Sequence, residues 1–527
     1  MSRQPQTDKL DLNASTCTIP GLLKAAAKCR PSAVFFTRSN DDVDHFSFEE
    51  IVYLTARTAN ALLASGVQRG DRVALLLPTC LEAVVLFYAT ATVGAVTVPM
   101  DYGMGSDTKA YILQHAAPCL VFCGVGSEVG LMKCGWPARQ IVTIGASGSS
   151  MANEFEHWLE QAIPSFFTGS VDSIDPAVLL YTSGSTGCPK GVLLSHGALC
   201  RSGFQFARHY GWHKQDLFFN LAELHTMSGL RNTCITPLWT NSGVHLCPPE
   251  ERRSVFEIIE QINRFGCSLL GGAPIFVRQL RLFYGRFNRV NLERLRVIFC
   301  TGALLDADLV HWIYDNYNIP VLNYYGLTET CGFCAGHSMS TFLEHVDGIG
   351  FPVDATLSIV DASDNYLPSQ RAGELCVSSP NLMLGYYKQP EMTDNVLKNG
   401  CFHTGDQAWQ TKDGNIVLIG RKKNFIKTAL TELVYFEEVE LALERHPQVR
   451  EAGVCGFISG LGDERLAAFV ATGSTVESEE VFFSKLQRYI SQHLGTHKSP
   501  SVFYLLDRLP RTSSGKLLRK ELELILQ

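Results

Sequence analysis

Positive charge is not in excess in this 527-residue chain: 45 Lys and Arg stand against 52 Asp and Glu, a net charge of −7. Without a basic footprint there is no field to gather a phosphate backbone, which argues against nucleic acid as a partner. Paired metal-type cysteine spacing is missing too. The 17 cysteines are scattered, several within apolar runs, and the one C-x-x-C, Cys331 with Cys334, lacks the second pair a zinc site needs. Met1 to Ser15 is polar and mixed in charge rather than a secretory leader. The cysteines are therefore expected to be reduced thiols of a cytoplasmic protein. A long spanning run is also lacking. Ala83 to Met100 carries no charge, but Gly94 and Pro99 interrupt it and Ala, Thr and Val fill it. A buried helix followed by the strand Ala95–Pro99 fits this stretch better than a membrane span.

What remains describes a globular protein, 46% hydrophobic and 18% charged, too long for a single core. Helical and strand patterns alternate. Phe48 to Gly66 and Leu81 to Gly94 read as helices, and Arg72–Leu77, Ala117–Cys123 and Gln140–Ile144 as buried strands. Such alternation predicts an α/β fold with parallel-type sheets covered by helices. Gly145 to Gly169, rich in Ser and Gly, reads as a surface connection. Further on, Gly373–Val377 and Gly385–Tyr387 read as a small β-rich section, with a hairpin turn at Asp413-Gly414. Phe436–His446, Glu451–Cys455 and Ser478–Leu494 read as helix, strand and helix of a smaller α+β domain.

The apolar run Ala177–Leu180 feeds Tyr181-Thr-Ser-Gly-Ser-Thr-Gly-Cys-Pro-Lys-Gly-Val192. Glycine lets backbone approach a ligand, and successive N–H groups in such a turn make an anion-binding concavity. Thr182, Ser183, Ser185 and Thr186 add hydroxyl donors, interleaved with Gly184 and Gly187, and Lys190 adds a point charge suited to phosphate. The loop is not of the G-x-x-x-x-G-K-[ST] kind, because neither Ser nor Thr follows Lys190.

Thr182 to Gly191 resembles the signature of the adenylate-forming superfamily of acyl- and aryl-CoA synthetases, peptide-synthetase adenylation domains and luciferases. Four more stretches from Thr301 to Lys516 match in the same order, so the resemblance covers nearly the whole chain and lies closest to acyl- or aryl-CoA ligases. It implies a large N-terminal domain over residues 1–420, which binds ATP and the acid, and a small mobile C-terminal domain over 421–527. It also assigns roles. Thr301-Gly302-Ala303, with Leu304 where the family has proline, would lie against adenine. In Tyr325-Gly326-Leu327-Thr328-Glu329, Tyr325 would stack on adenine, Thr328 contact the α-phosphate and Glu329 ligate Mg²⁺. Asp406 would take the ribose hydroxyls, Arg421 ribose and phosphate, and Lys423 would be the hinge. Lys516 would be the catalytic lysine. His225 falls where the family has an acyl-pocket residue near the carboxylate, flanked by pocket candidates Leu269–Pro274 and Cys331–Gly336. The Asp that holds an α-ammonium in amino-acid-activating relatives is absent there, although Glu223 is two residues away.

The resemblance thus implies activation of a non-amino acid, aryl or medium acyl, with ATP to an acyl-adenylate, then transfer to CoA. It breaks after the hinge. Ala429 and Leu430 replace two glycines of the family pattern, Phe436 replaces its proline, and one residue is added. That opens an alternative acceptor, the phosphopantetheine of an acyl-carrier protein or an amine. A luciferase-like oxygenase finds no support in the sequence, and a silent acyl-adenylate-binding protein is disfavoured by the joint presence of Glu329, Asp406, Arg421 and Lys516.

Overall fold

The computed structural model describes residues 13–14, 16–39, 43–145, 152–160, 170–182, 189–252, 254–284, 292–302, 305–421, 424–427, 433–459, 464–473, 478–512 and 515–526. Ser183, Gly184, Ser185, Thr186, Gly187, Ala303, Leu304, Lys423, Ala429 and Leu430 lie outside the described residues.

Two large sheets carry the N-terminal part. In the seven-stranded sheet, Pro176–Thr182, Val96–Pro99, Arg72–Leu76, Leu120–Gly124 and Ile141–Ile144 are parallel neighbours in that order. Lys190–Ser195 returns antiparallel beside Pro176–Thr182. In the nine-stranded sheet, Val321–Tyr325, Val297–Cys300, Leu269–Gly272, Leu217–Asn220 and Gly243–Leu246 are consecutive parallel neighbours. The near-continuous apolar strands reflect burial on both faces: Val297–Cys300 and Val321–Tyr325 are buried at every position. The uncharged stretch near residue 90 is the helix Leu81–Val93, stopped by Gly94 at φ 81°, followed by the strand Val96–Pro99. It is apolar all round because it is enclosed by protein, and among the described residues no helix is long and apolar enough to cross a membrane.

Two expectations are corrected. The connection over 145–169 contains a helix, Ala152–Glu160, which buries Phe155 and Leu159 and sets Trp158 edge-on against Phe122 at 5.1 Å. Gly385–Tyr386 does not belong to the β-rich section. It pairs with Val192 and Leu193 and extends the seven-stranded sheet. The β-rich section itself is an antiparallel five-stranded sheet of Thr356–Val360, Gly373–Ser378, Cys401–Gln410, Leu397–Lys398 and Ile416–Arg421. Its hairpin turns at Gly414, φ 98°.

The C-terminal part has a core of its own. Ile426, Val434, Val439, Leu443, Val454, Ala468, Val470, Leu486 and Ile490 are buried together under a sheet of Val449–Ile458, Glu464–Thr472 and Val502–Leu505. Two ion pairs tie it to the N-terminal part, Arg445–Asp306 at 3.1 Å and Arg278–Glu444 at 2.6 Å.

Three histidines are sealed in the interior. Burial holds His196, His245 and His337 down to about 4. His245 bridges Thr37 at 3.0 Å and Gln261 at 3.2 Å and stacks on Phe265. A histidine lowered in the folded state is neutral there, while the unfolded chain takes up its proton near pH 6.5. Stability is therefore complete above pH 6.5 and falls as the pH drops towards 4, by up to about 3 kcal/mol per such group. His245→Gln is expected to melt lower than wild type at pH 7.5, with the gap narrowing by pH 4.5, as urea unfolding at both pH values would show.

Candidate active site

Four adjacent parallel strands of the nine-stranded sheet deliver the candidate residues at their carboxyl ends, where open α/β sheets place ligands. Val321–Tyr325 ends on Tyr325 and runs into Gly326–Glu329; Val297–Cys300 is followed by Thr301-Gly302. Leu269–Gly272 leads to Ala273-Pro274, and Leu217–Asn220 leads to the His225 turn. The sheet thus gathers residues that are up to about a hundred positions apart in the chain.

Beyond Tyr325 the chain makes one tight turn, Thr328–Thr330, closed by Cys331 N–H on the Thr328 carbonyl at 3.0 Å and Gly332 N–H on the Leu327 carbonyl at 2.8 Å. Gly326 has no alternative, because a Cβ there would overlap the Gly332 backbone. Glu329 is buried, and its Oε1 accepts the Tyr386 hydroxyl at 2.9 Å. The Lys190 ammonium stands 4.9 Å from the Tyr386 ring centre. The strand Gly385–Tyr386 is thus the piece that joins Lys190 to Glu329. Thr182 and Lys190 pair directly across the strands that flank the hydroxyl-rich loop.

Asp406 and Arg421 face each other on neighbouring antiparallel strands, with Arg421 Nε 2.5 Å from Asp406 Oδ1. The other carboxylate oxygen accepts the Tyr325 hydroxyl at 2.5 Å. Burial pushes the Asp406 carboxyl up, and the Arg421 guanidinium opposes this. Together they present a carboxylate with lone pairs for neighbouring hydroxyls and a guanidinium for phosphate.

Lys516 enters this cleft from the C-terminal part. A Cβ on Gly515 (φ 86°) would stand 3.8 Å from Ala273 Cβ and 4.0 Å from Ile275 Cγ2. Desolvation lowers the Lys516 ammonium, Arg421 lowers it further, and Glu329 and Asp406 pull it back up. Its solvent-accessible side chain lies within electrostatic reach of Glu329, Asp406 and Arg421.

His225 is largely buried, its Nε2 3.8 Å from Asp101 Oδ2, and burial lowers its pKa, which favours the neutral ring, while Asp101 opposes this. Glu223 is occupied. Its Oε2 accepts from Thr79 N–H and Oγ1, each at 2.6 Å, and Oε1 pairs with Arg252. It anchors the His225 turn and is itself taken up by these partners. Burial pushes the Cys331 and Cys334 thiols up to about 12, which makes them inert packing groups.

Tyr386, Asp101 and Arg252 are not recognisable in the sequence because their partners are remote. The Tyr-Tyr after Gly385 and the acid that closely follows Val96–Pro99 are the only local signals. Tyr386→Phe removes the donor to Glu329 and keeps the ring under Lys190. It is expected to lower turnover about 10-fold and raise the Mg²⁺ concentration needed for half-maximal rate, with unchanged melting; a Mg²⁺ titration of the variant checks this.

Residues 23–387 match the family described as AMP-binding enzyme, and residues 438–516 match the AMP-binding enzyme C-terminal domain. The chain belongs to the AMP-binding enzyme family. It is 26% identical over 507 residues to a crotonobetaine/carnitine–CoA ligase of Salmonella paratyphi C, covering 93% of this chain and 96% of the relative. It is 29% identical over 479 residues to a feruloyl-CoA synthase of an Amycolatopsis species, covering 90% and 93%. The fold matches the crystal structure of an anthranilate CoA ligase in complex with anthranoyl-AMP, with a TM-score of 0.88, 21% identity and coverage of 98% and 99%.

Proposed function

We propose that this protein is an ATP-dependent, AMP-forming acid–CoA ligase. It activates a non-amino carboxylic acid, aryl or medium acyl, to an acyl-adenylate with release of pyrophosphate and then transfers the acyl group to the thiol of CoA. The feature that supports the reading best is Asp406 held between the Arg421 guanidinium and the Tyr325 hydroxyl, within electrostatic reach of Lys516. The family assignment and the CoA ligases among its relatives support the two-step chemistry.

A carboxylate is a weak electrophile, so its oxygen must first be tied to a good leaving group. The acid attacks the α-phosphorus in line, and the protein's task is positioning and charge neutralisation. Lys516 bridges the attacking carboxylate and the α-phosphate. Asp406 holds the ribose hydroxyls, Arg421 contacts ribose and phosphate, and Tyr325, with Thr301, Gly302 and Ala303, holds adenine against Gly326 and Leu327. Thr328 contacts the α-phosphate. Thr182, Lys190 and the Ser183–Gly187 loop hold the departing pyrophosphate. Glu329 suits Mg²⁺, which takes one or two carboxylates and otherwise phosphate oxygens and waters. It is a single buried carboxylate oriented by Tyr386, and no protein-only metal cluster occurs among the described residues. Bound there, the ion would neutralise phosphate charge.

Residues 1–420 and 421–527 form the two domains in this reading, and Lys423 is the hinge about which the smaller one turns to withdraw Lys516 and admit the thiol. Phe436, in place of the family's proline, is buried in the C-terminal core with Arg519 5.5 Å from its ring. That favours a compensated loop variant and CoA as acceptor; a carrier-protein phosphopantetheine or an amine is the second reading. A cytoplasmic location fits the free thiols of the described cysteines. Incubation with ATP, Mg²⁺, CoA and a panel of acids tests the whole reading. AMP and an acyl-CoA should appear in equal amounts with the right acid. Acid-dependent pyrophosphate release without acyl-CoA would transfer the reading to the second acceptor class.

A further inference from the structure

Arg231 is fully buried and belongs to no ion pair among the described residues. It follows His225 by six positions, at the point where the helical turn Met227–Leu230 widens into the π turn Arg231–Ile235. Its Nε donates to Asn232 Oδ1 at 2.9 Å, but neither terminal nitrogen has a hydrogen-bond partner meeting normal geometry among the described residues. The guanidinium lies 4.2 Å from the ring centre of Phe206, 5.2 Å from Tyr324 and 5.7 Å from Phe333. Tyr324, whose hydroxyl lies within reach of the guanidinium, Cys331 and Tyr210 are the polar neighbours that favour its charge, and none of them is a carboxylate.

Arginine stays protonated in proteins, and a buried charge is normally paired or neutralised. Aromatic faces recover part of the lost hydration, yet they use the plane of the guanidinium and leave its outer fork of N–H groups. That fork lies against Gly332: a Cβ on this glycine would stand 3.2 Å from Nη1. Gly332 is three residues beyond Glu329, and Arg231 is on the helical run that starts behind His225. The guanidinium therefore sits between the helical run behind His225 and the turn beyond Glu329, the two elements that bound the acid in the reading above, on the side of Cys331–Gly336.

We propose that Arg231 receives a second carboxylate at the far end of the substrate, so that the acid activated is a dicarboxylic acid. This rests on the activation reading above and narrows its substrate class. A fork of parallel N–H donors matches a carboxylate bidentately, and the ligand would supply the anion that the fold withholds. The same charge repels an acid with a cationic tail, which separates this chain from the carnitine ligase named among its relatives.

The test pairs acids of equal length, hexanoate with adipate and 4-methylcinnamate with 4-carboxycinnamate, across a four- to eight-carbon diacid series. Pyrophosphate exchange and the melting shift given by each acid alone are both recorded for wild type, Arg231→Lys and Arg231→Met. Wild type should prefer at least one diacid over its monoacid partner by about 100-fold in kcat/KM. Arg231→Lys should keep part of that preference and Arg231→Met should lose it, gaining monoacid turnover. If Arg231→Met does not fold, wild type and Arg231→Lys decide. Exchange with monoacids and no preference for any diacid would overturn the proposal and leave the activation reading intact. Exchange with no acid would sink the activation reading, and the diacid-specific melting shift, present or absent, would still decide the role of Arg231.

Discussion

Lys516→Ala is expected to slow acid-dependent pyrophosphate exchange by about 100- to 1000-fold while leaving ATP affinity within a few-fold of wild type. The ammonium lies within electrostatic reach of Glu329, Asp406 and Arg421. Charge developing between the attacking carboxylate and the α-phosphate needs a counter-charge only at that moment, so its loss should appear in turnover rather than in ground-state binding. The side chain is solvent-accessible, so melting should not change. A supplied acyl-adenylate should still react with CoA, because the proposed cycle withdraws the lysine before that step. Exchange assays, nucleotide titration and single-turnover thioester formation with the same variant check the three parts. A uniform loss in all of them would show a folding defect in place of a catalytic one.

Asp406→Asn should act differently. Its carboxylate is buried and holds Tyr325 and Arg421 at once. An amide keeps the shape but leaves the guanidinium without its counter-charge, a change of about 2–5 kcal/mol when a buried charged partner is removed. Melting should fall, and kcat/KM for ATP should drop by about 30- to 1000-fold. If the carboxylate also accepts the ribose hydroxyls, wild type should discriminate strongly against 2′-deoxy-ATP and the variant should not. Kinetics with both nucleotides separate that role from the structural one: lost stability with unchanged discrimination would confine Asp406 to scaffolding.

Local chemistry makes much of this architecture legible in the amino-acid sequence. Leu81–Val93 and Val96–Pro99 are separable because Gly94 must stop the helix, and Asp413-Gly414 marks its hairpin. The motifs around Thr301 and Tyr325 are legible because each follows an apolar strand, and parallel neighbours bring such strand ends together. What escapes such reading is non-local. The helix Ala152–Glu160 lies among Ser and Gly, and only its packing against Phe122 reveals it as more than a connection. Gly385–Tyr386 has two residues of strand and no pattern to say which sheet it joins. Arg231 resembles an ordinary polar residue on a helix; its enclosure by Phe206, Tyr324 and Phe333 depends on three separate elements.

The central claim is that the acid's own oxygen is joined to the α-phosphorus of ATP. Oxygen-18 in the carboxylate of a substrate acid tests it most directly. After turnover with CoA, the account predicts one labelled oxygen in AMP and none in pyrophosphate. Label in inorganic phosphate with ADP as co-product, or unlabelled AMP from attack by water, would contradict it.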